Sequence, residues 1–516
     1  MSRSLSLAIL VAGLVDALVN GDVSVAIEGV AYDSREVRPG FLFVALRGVK
    51  TDGHCYLGDA FARGAVAALT EEPVADPRCR CSVIVPDTRA ALARVAGEYY
   101  GHPSRELGLI GITGTKGKTT TSYLVEAVLR QAGHETGLIG TVDLKVGPRR
   151  WRNPLHQTTP ESLDVQRYLR EMVDAGVEWA VLETSSHGLA THRVDGCAYD
   201  IAAVTNVTHE HLEFHKTYAN YLAAKATLLD RVVGPGVKGR PRAVVLNRDD
   251  PGSAGMAGRR PDVPLLIFGL DDACDVRACG LAMERGGMAF ELRTPQGNSL
   301  VRMPLVGRFN VYNALAAAAV ALVVGVPVPT IAAGLAMVEG VPGRLEWIAA
   351  GQPFEVVVDY AHNPDSLGQI LRLLRSLTEG RLIAVFGSAG ERDVAKRELM
   401  GRVCAELADR AVFTDEDPRG EDREAILREI AAGTRQRGWR EGREYELIAD
   451  RARAIERACE IARPGDTVLL AGKGHEETIE YAGFAMPWDE ATAAREALAR
   501  LGYDGQVAEQ TERTAR

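Results

Sequence analysis

The chain has 516 residues, 46% of them hydrophobic, with 60 Lys and Arg against 69 Asp and Glu and a formal net charge of −9. That length and apolar content support several buried cores, at about 100–200 residues per domain, and exclude a disordered chain. An acidic balance without a long basic run excludes nucleic acid as the main partner. The eight scattered cysteines (Cys55, Cys79, Cys81, Cys197, Cys274, Cys279, Cys404 and Cys459) show neither a C-x-x-C pair nor a secreted disulfide spacing, so reduced thiols in a cytoplasmic protein are expected.

The opening segment superficially resembles a signal peptide, but Asp16 interrupts it. Leu10, Leu14 and Leu18 fall at i, i+4 and i+8, which predicts an amphipathic surface helix. From Val23 to about Pro103, short strands (26–31, 42–45 and 83–85) alternate with helices (56–63 and 89–100), and His102-Pro103-Ser104 reads as a linker. The longest apolar run, Ala314 to Val324, is shorter than the ~20 residues a bilayer helix needs, so no membrane association is expected.

The most informative stretch follows. An apolar strand from Leu107 runs into Gly111-Ile-Thr-Gly-Thr-Lys-Gly-Lys-Thr-Thr120 and then directly into an amphipathic helix. Glycines at 111, 114 and 117 let the backbone turn tightly around an anion, and helix N–H groups point at it. Lys118 adds a charge, and Thr119 is placed to hold Mg²⁺. The spacing G-x-x-G-x-x-G-K-T-T is a variant of the usual phosphate loop, and a nucleoside triphosphate is the ligand it implies.

Beyond it, strands 178–182, 201–204 and 243–246 each end in a polar loop, which predicts a parallel, doubly wound sheet. Glu183 stands at the end of the first of these, where such sheets place an acid near the nucleotide's Mg²⁺. His209-Glu-His-Leu-Glu-Phe-His215 crowds three histidines and two glutamates together. A transition-metal site is one reading, but triphosphate chemistry calls for Mg²⁺ and oxygen ligands. Lys225 lies in an apolar helix where a bare ammonium is costly to bury. From pattern alone it snorkels to solvent; in the alternative its amine adds CO₂, and the carbamate becomes a metal ligand.

A third unit opens near Val341-Pro-Gly-Arg344 with strands at 355–358, 382–386, 411–413 and 467–470. Its loops carry Asp359, His362 and Asn363; Gly387-Ser-Ala-Gly-Glu-Arg-Asp393; Asp415-Glu-Asp-Pro-Arg419; and Gly472-Lys-Gly-His-Glu476. Ligands of open parallel sheets bind beyond the carboxyl ends of the strands, so acids and bases on this rim suit a small zwitterion.

Taken together, Gly-Thr-Lys-Gly-Lys-Thr-Thr, Glu-Thr-Ser-Ser-His-Gly, His-Glu-His-Leu-Glu-Phe-His, Ala-Ala-Lys225, Gly-Arg-Phe-Asn-Val-Tyr-Asn313, Val-Pro-Gly-Arg344, Asp-Tyr-Ala-His-Asn-Pro and Gly-Lys-Gly-His-Glu476 resemble the Mur ligases. The resemblance runs from Asp33-Ser-Arg35 to about Glu476. It is greatest to the members that join a diamino acid to UDP-N-acetylmuramoyl-L-alanyl-D-glutamate with ATP hydrolysis in peptidoglycan synthesis. It implies an α/β fold of three domains. These are a smaller N-terminal UDP-substrate domain (1–103), a central P-loop parallel-sheet ATPase domain (104–341) and a C-terminal Rossmann-like amino-acid domain (342–504), followed by a flexible tail (505–516).

Carried over by motif, Ser34, Val49, Lys50 and Thr51 would hold the uridine nucleotide, and Thr158, Thr159, Ser185 and Arg193 the muramoyl-dipeptide. Gly114, Thr115, Lys116, Gly117, Lys118, Thr119, Thr120, Asn313, Arg344, Asp359 and His362 would serve ATP. The resemblance makes Lys118, Glu183, His211 and Lys225 the catalytic set, with Thr119, Glu183, His211 and carbamylated Lys225 as Mg²⁺ ligands. Arg392, Glu416, Asp417, Pro418, Arg419, Gly472 and Glu476 would bind the incoming amino acid. Gln157 and Thr191 stand where Asn and Gln are usual, which affects two substrate contacts. A monomer is expected, as is closure of the third domain about Val341–Arg344 to keep water from an acyl phosphate.

Meso-diaminopimelate is favoured by the retained Arg419. Glu416 and Asp417, where Asp and Asn are usual, add a negative charge that would occupy Arg419 and attract a distal ammonium, so L-lysine and L-ornithine stay open. Folylpolyglutamate synthase is the nearest rival but lacks an N-terminal uridine domain. A non-ligating P-loop switch is the other, and no Asn-Lys-x-Asp guanine motif is found.

Overall fold

The computed structural model describes residues 4–504 except 49, 50, 156, 209, 235 and 285. These group into two compact units: Met1–Leu281 with Ala289–Arg302 and Arg308–Met337, and Ala282–Met288 with Met303–Gly307 and Val338–Arg516. The architecture is mixed α/β with three main sheets. Among the described residues no helix is long and apolar enough to cross a membrane.

The first unit begins with a five-stranded sheet in the order Leu18–Gly21, Cys81–Ile84, Ala65–Thr70, Phe41–Val44, Gly29–Ala31. All pairs are parallel except the first. Helix Thr88–Tyr100 starts where the Asp87 carboxylate accepts from the N–H groups of Arg89 and Ala90, and it stops at Gly101 with φ 72°. Its Leu92 and Val95 share one core with Leu42, Val44, Leu69 and Val83.

The amphipathic helix expected to run as far as Leu18 is not formed. Only Leu7–Val11 is helical, and Asp16 takes a left-handed turn at φ 57°. Leu18 instead pairs with Ile84 as an edge strand and is 67% exposed. Strand pairing there outweighs a helical period carried by three leucines. The central strand Ala65–Thr70 was not foreseen, because its alanines give little β signal.

The second sheet carries the phosphate loop at its middle. Strands Thr136–Ile139, Trp179–Glu183, Gly108–Thr113, Ile201–Val204, Ala243–Asn247 and Leu265–Gly269 lie side by side and parallel. The hairpin Asp143–Val146 and Arg149–Arg152 extends one edge, and Val276–Glu284, Gly287–Thr294 and Gly297–Met303 the other. The three strands at the centre are buried at every position, as near-continuous apolar runs covered on both faces must be. The apolar run at 314–324 is the buried body of helix Arg308–Val324, not a membrane segment.

The second unit is built on a six-stranded sheet ordered Glu346–Trp347, Glu355–Asp359, Thr467–Ala471, Leu382–Phe386, Arg410–Phe413, Tyr445–Leu447. It is parallel apart from its first pair. Alternation along one strand serves two cores: Val357 packs with Leu367, Leu371 and Phe386, while Val356 and Val358 pack with Ile455, Ala458 and Val468.

Beneath the carboxyl edge, Arg451 and Glu490 form a fully buried ion pair at 2.6 Å, and Arg451 also donates to the carbonyls of Asp415 and Ala471. The guanidinium thereby fixes two of the rim loops. Glu490→Gln is expected to destabilise this unit by about 3 kcal/mol, because a buried cation loses its counter-charge. Denaturant unfolding should show an earlier transition, with Arg451→Met/Glu490→Leu less affected than the single variant.

Candidate active site

Strand Gly108–Thr113 delivers the chain to the phosphate loop, and helix Lys118–Gln131 begins immediately after Gly117. The glycines are required by space. A Cβ on Gly114 (φ 155°) would lie 1.9 Å from Thr205 Oγ1, and one on Gly117 (φ 85°) 2.3 Å from Asn313 Oδ1.

The loop is pinned by the end of the neighbouring strand. The Asn206 carbonyl accepts from Thr115 N–H at 2.8 Å, its side-chain oxygen accepts from Lys116 N–H at 2.9 Å, and its amide donates back to the Lys116 carbonyl at 3.0 Å. Thr120 is buried, and Asn313 accepts from Thr121 Oγ1 at 3.3 Å. Lys118 folds over the loop, donating to the carbonyls of Gly114 and Thr115.

Glu183 is the hub of this end of the sheet. Its carboxylate accepts from Thr141 N–H at 3.0 Å and from Thr141 Oγ1 and Thr119 Oγ1, each at 2.9 Å. Burial pushes its carboxyl above the ordinary carboxylate range; the Thr141 amide, the Lys118 charge and the two hydroxyls oppose that shift. From Glu183 a polar chain continues outward. Thr158 Oγ1 lies 3.0 Å from Thr141 Oγ1, and Thr159 donates to the Glu183 carbonyl while accepting from Ser185 N–H. Arg193 donates to the Thr159 carbonyl and pairs with Glu161, which Arg89 also holds at 2.8 Å. The four residues expected to hold the muramoyl-dipeptide therefore form one connected group beside Glu183. Gln157 is exposed, with its carbonyl accepting from Asn153, and the Thr191 hydroxyl caps the His187 carbonyl.

Lys225 does not snorkel. It is 1% exposed, donates to the Gly114 carbonyl at 2.7 Å and has its nitrogen 4.6 Å from the centre of the Tyr221 ring. Burial, reinforced by the Lys118 charge, pushes its pKa far below the ordinary lysine range, with Glu210 opposing. Tyr221 OH in turn lies 3.0 Å from Thr115 Oγ1, which ties this helix to the phosphate loop.

His211 takes a left-handed backbone (φ 56°) and a half-exposed ring 4.8 Å from His187 and 6.2 Å from Tyr221. Burial and the facing rings of His211 and His215 bring His187 down to about 4. His209 lies outside the described residues. Among the described residues no group of three or more His, Cys, Asp or Glu side chains converges as a metal site.

For the expected uridine site, Ser34 is buried in a short 3-10 turn capped by Asp33, and the Thr51 carbonyl accepts from Gly48 N–H at 2.8 Å. Val49 and Lys50 lie outside the described residues.

In the second unit, Asp359 ends its strand accepting from Leu345 and Ala361 N–H at 2.9 Å, with its carboxyl raised by burial against the Arg344 charge. The Arg344 guanidinium lies 4.5 Å from the centre of the Tyr360 ring, and the centre of the His362 ring lies 4.7 Å from that of Tyr360. The Val341–Arg344 turn is held within this unit: a Cβ on Gly343 would strike His475 N at 2.2 Å.

On the neighbouring rim, Asp417 accepts from Lys473 Nζ at 2.7 Å, and Lys473 also pairs with Glu476. Glu416 is buried with Oε2 facing Gly472 and lacking a hydrogen-bond donor. Pro418 contributes its carbonyl to the turn that reaches Glu421 N–H, and Arg392 is exposed. Arg419 donates to Glu480 Oε2 at 2.8 Å and to the Gly390 carbonyl at 3.1 Å. The expectation that Glu416 and Asp417 would occupy Arg419 is therefore corrected, since Asp417 pairs with Lys473, Glu416 faces Gly472, and the carboxylate on Arg419 is that of Glu480.

Sequence reasoning missed Thr141, Asn206, Tyr221 and Glu480 as partners of these groups. Thr141 and Asn206 each follow a strand's carboxyl end, a position that identifies them in retrospect.

Three family descriptions match consecutive parts of the chain: "Mur ligase family, catalytic domain" over 26–100, "Mur ligase middle domain" over 112–321 and "Mur ligase, glutamate ligase domain" over 343–474. The chain belongs to the Mur ligase family. It is an ATP-dependent ligase with that family's three-domain α/β fold. The UDP-N-acetylmuramyl-tripeptide synthetase of Roseiflexus sp. (strain RS-1) is 48% identical over 491 residues, covering 94% of this chain and 96% of that one. The UDP-N-acetylmuramoyl-L-alanyl-D-glutamate–2,6-diaminopimelate ligase of Bacillus licheniformis is 44% identical over 476 residues, 92% and 95% of the two chains. A solved structure of a 2,6-diaminopimelate ligase of the same description superposes with a TM-score of 0.65 at 30% identity, covering 97% of this chain and all of that one.

Proposed function

We propose that this ligase joins the amine of meso-diaminopimelate to the D-glutamate side-chain carboxylate of UDP-N-acetylmuramoyl-L-alanyl-D-glutamate, converting ATP to ADP and phosphate. The observation that carries the choice of amino acid is the pairing of Asp417 with Lys473. With Asp417 turned to Lys473, the carboxylate on Arg419 is that of the half-exposed Glu480, and the guanidinium is the loop's partner for a distal carboxylate that replaces it, as bidentate recognition favours. The relatives named above support the same substrate. The rival folylpolyglutamate reading is not favoured, because the residues before the phosphate loop build a sheet of their own and match the Mur family.

In the chemistry proposed, a D-glutamate carboxylate oxygen bonds to the ATP γ-phosphorus as the bond from that phosphorus to the bridging oxygen breaks, and ADP leaves. The amine then attacks the acyl carbon, loses a proton, and phosphate departs with the C–O bonding pair. Lys118 offsets the charge that two anions bring together, and the loop N–H groups orient the phosphates. Thr159, Ser185 and Arg193 position the dipeptide beside Glu183. The oxygen-rich set of Thr119 and Glu183 fits a hard cation, so Mg²⁺ held by these with His211 and a Lys225 carbamate would supply Lewis-acid stabilisation of phosphoryl charge. Lys225 is suited to carbamylation because burial favours its neutral amine, which adds to CO₂ with release of a proton.

The domain limits 1–103, 104–341 and 342–504, and action as a cytoplasmic monomer on soluble nucleotide substrates without nucleic acid or membrane, belong to the same proposal; residues 505–516 lie outside the described chain. Its test is kcat/KM for meso-diaminopimelate, L-lysine and L-ornithine with one UDP-dipeptide. Loss of the carboxylate pairing should lower the last two by about a hundredfold. A preference for lysine or ornithine would overturn the assignment.

A further inference from the structure

The partner of Arg419 lies outside the motif that carries the arginine. Glu480 belongs to the hairpin Thr478–Tyr481 and Phe484–Pro487, and its carboxylate accepts from Arg419 Nε. Its backbone is fastened on both sides: Glu480 N–H donates to Asp417 Oδ1 at 2.9 Å, and its carbonyl accepts from Arg419 N–H at 2.9 Å. The neighbouring Tyr481 stacks on Phe484 and donates to Asp415 at 3.1 Å. The hairpin is therefore zippered to the Asp415–Arg419 loop. The Glu480 side chain, in contrast, is 51% exposed, whereas that of Arg419 is 19% exposed.

Two of the guanidinium's donor positions are taken, Nε by Glu480 and Nη1 by the Gly390 carbonyl. A carboxylate that engages the Nε/Nη2 edge in the bidentate manner must displace Glu480. Because that side chain is half exposed, it can turn toward solvent while the backbone that holds Arg419 stays in place.

We propose that Glu480 tunes affinity for the incoming diamino acid, as an internal carboxylate that occupies Arg419 until the distal carboxylate of that amino acid replaces it. This rests on the assignment of Arg419 to that carboxylate. A substrate bearing a distal carboxylate releases Glu480. One with only a distal ammonium leaves the ion pair closed and gains nothing from Arg419. Glu480 thus weakens binding of the correct amino acid while keeping the guanidinium's charge satisfied between turnovers.

The test is steady-state kinetics of Glu480→Gln and Glu480→Ala with saturating ATP and UDP-dipeptide. KM for meso-diaminopimelate should fall about threefold, the scale of a partly exposed ion pair. Its kcat should be unchanged, and so should KM for L-lysine. An unchanged or raised KM for meso-diaminopimelate in both variants overturns the inference. Arg419→Ala separates the two levels: if it raises KM for meso-diaminopimelate while the Glu480 variants do not lower it, only the role of Glu480 falls. If Arg419→Ala leaves KM unaltered, the carboxylate assignment falls and takes this inference with it.

Discussion

Lys225→Ala is expected to lower ligation by at least about 10²–10³-fold, the loss that follows removal of one preorganised charge from a buried phosphoryl-transfer site. The lysine is sealed against the Gly114 carbonyl and the Tyr221 ring. Removing it therefore leaves a gap directly beneath the phosphate loop. The fold should survive, because the residues that shape the loop (Thr205, Asn206 and Asn313) are untouched. Short carboxylates such as acetate or formate should restore part of the rate if the working group is a carbamate anion. The measurement is ADP release by the variant with and without added carboxylate. Retained activity, or loss without any rescue in a variant that melts as the parent does, would count against the carbamate.

Lys118→Ala should fail earlier, with a loss of about 10³-fold or more, because its charge acts on the transferring phosphoryl group itself. It lies over the loop on the carbonyls of Gly114 and Thr115, within electrostatic reach of both Glu183 and Lys225. Positional isotope exchange within ATP, which needs the UDP-dipeptide and no amine, isolates this step. Lys118→Ala should abolish exchange and stay insensitive to added carboxylates. Exchange at the parent rate would remove Lys118 from phosphoryl transfer.

Much of the site was legible in the sequence because parallel strands place their chemistry at one end. An apolar run followed by Gly-Thr-Lys-Gly-Lys-Thr-Thr, and another followed by Glu183, identify the strand, the edge and the partners at once. Thr119 and Glu183 do meet, at 2.9 Å. The buried state of Lys225 was not legible. Its helix is apolar on several sides, so spacing could not tell a snorkelling lysine from one turned onto the Gly114 carbonyl. The charge balance around Arg419 was also misread. The acids beside it in sequence point to Lys473 and Gly472, and the one that holds it comes from a hairpin sixty-one positions away. The opening segment misled for a local reason: three leucines at helical spacing cannot signal that Leu18 pairs across to Ile84.

The most direct test is ADP release from ATP measured with the UDP-dipeptide and meso-diaminopimelate supplied singly and together. Release should require both, with one ADP formed for each UDP-tripeptide. ADP formation indifferent to either substrate, or none when both are present, would contradict a ligase that activates the D-glutamate carboxylate for attack by a diamino acid.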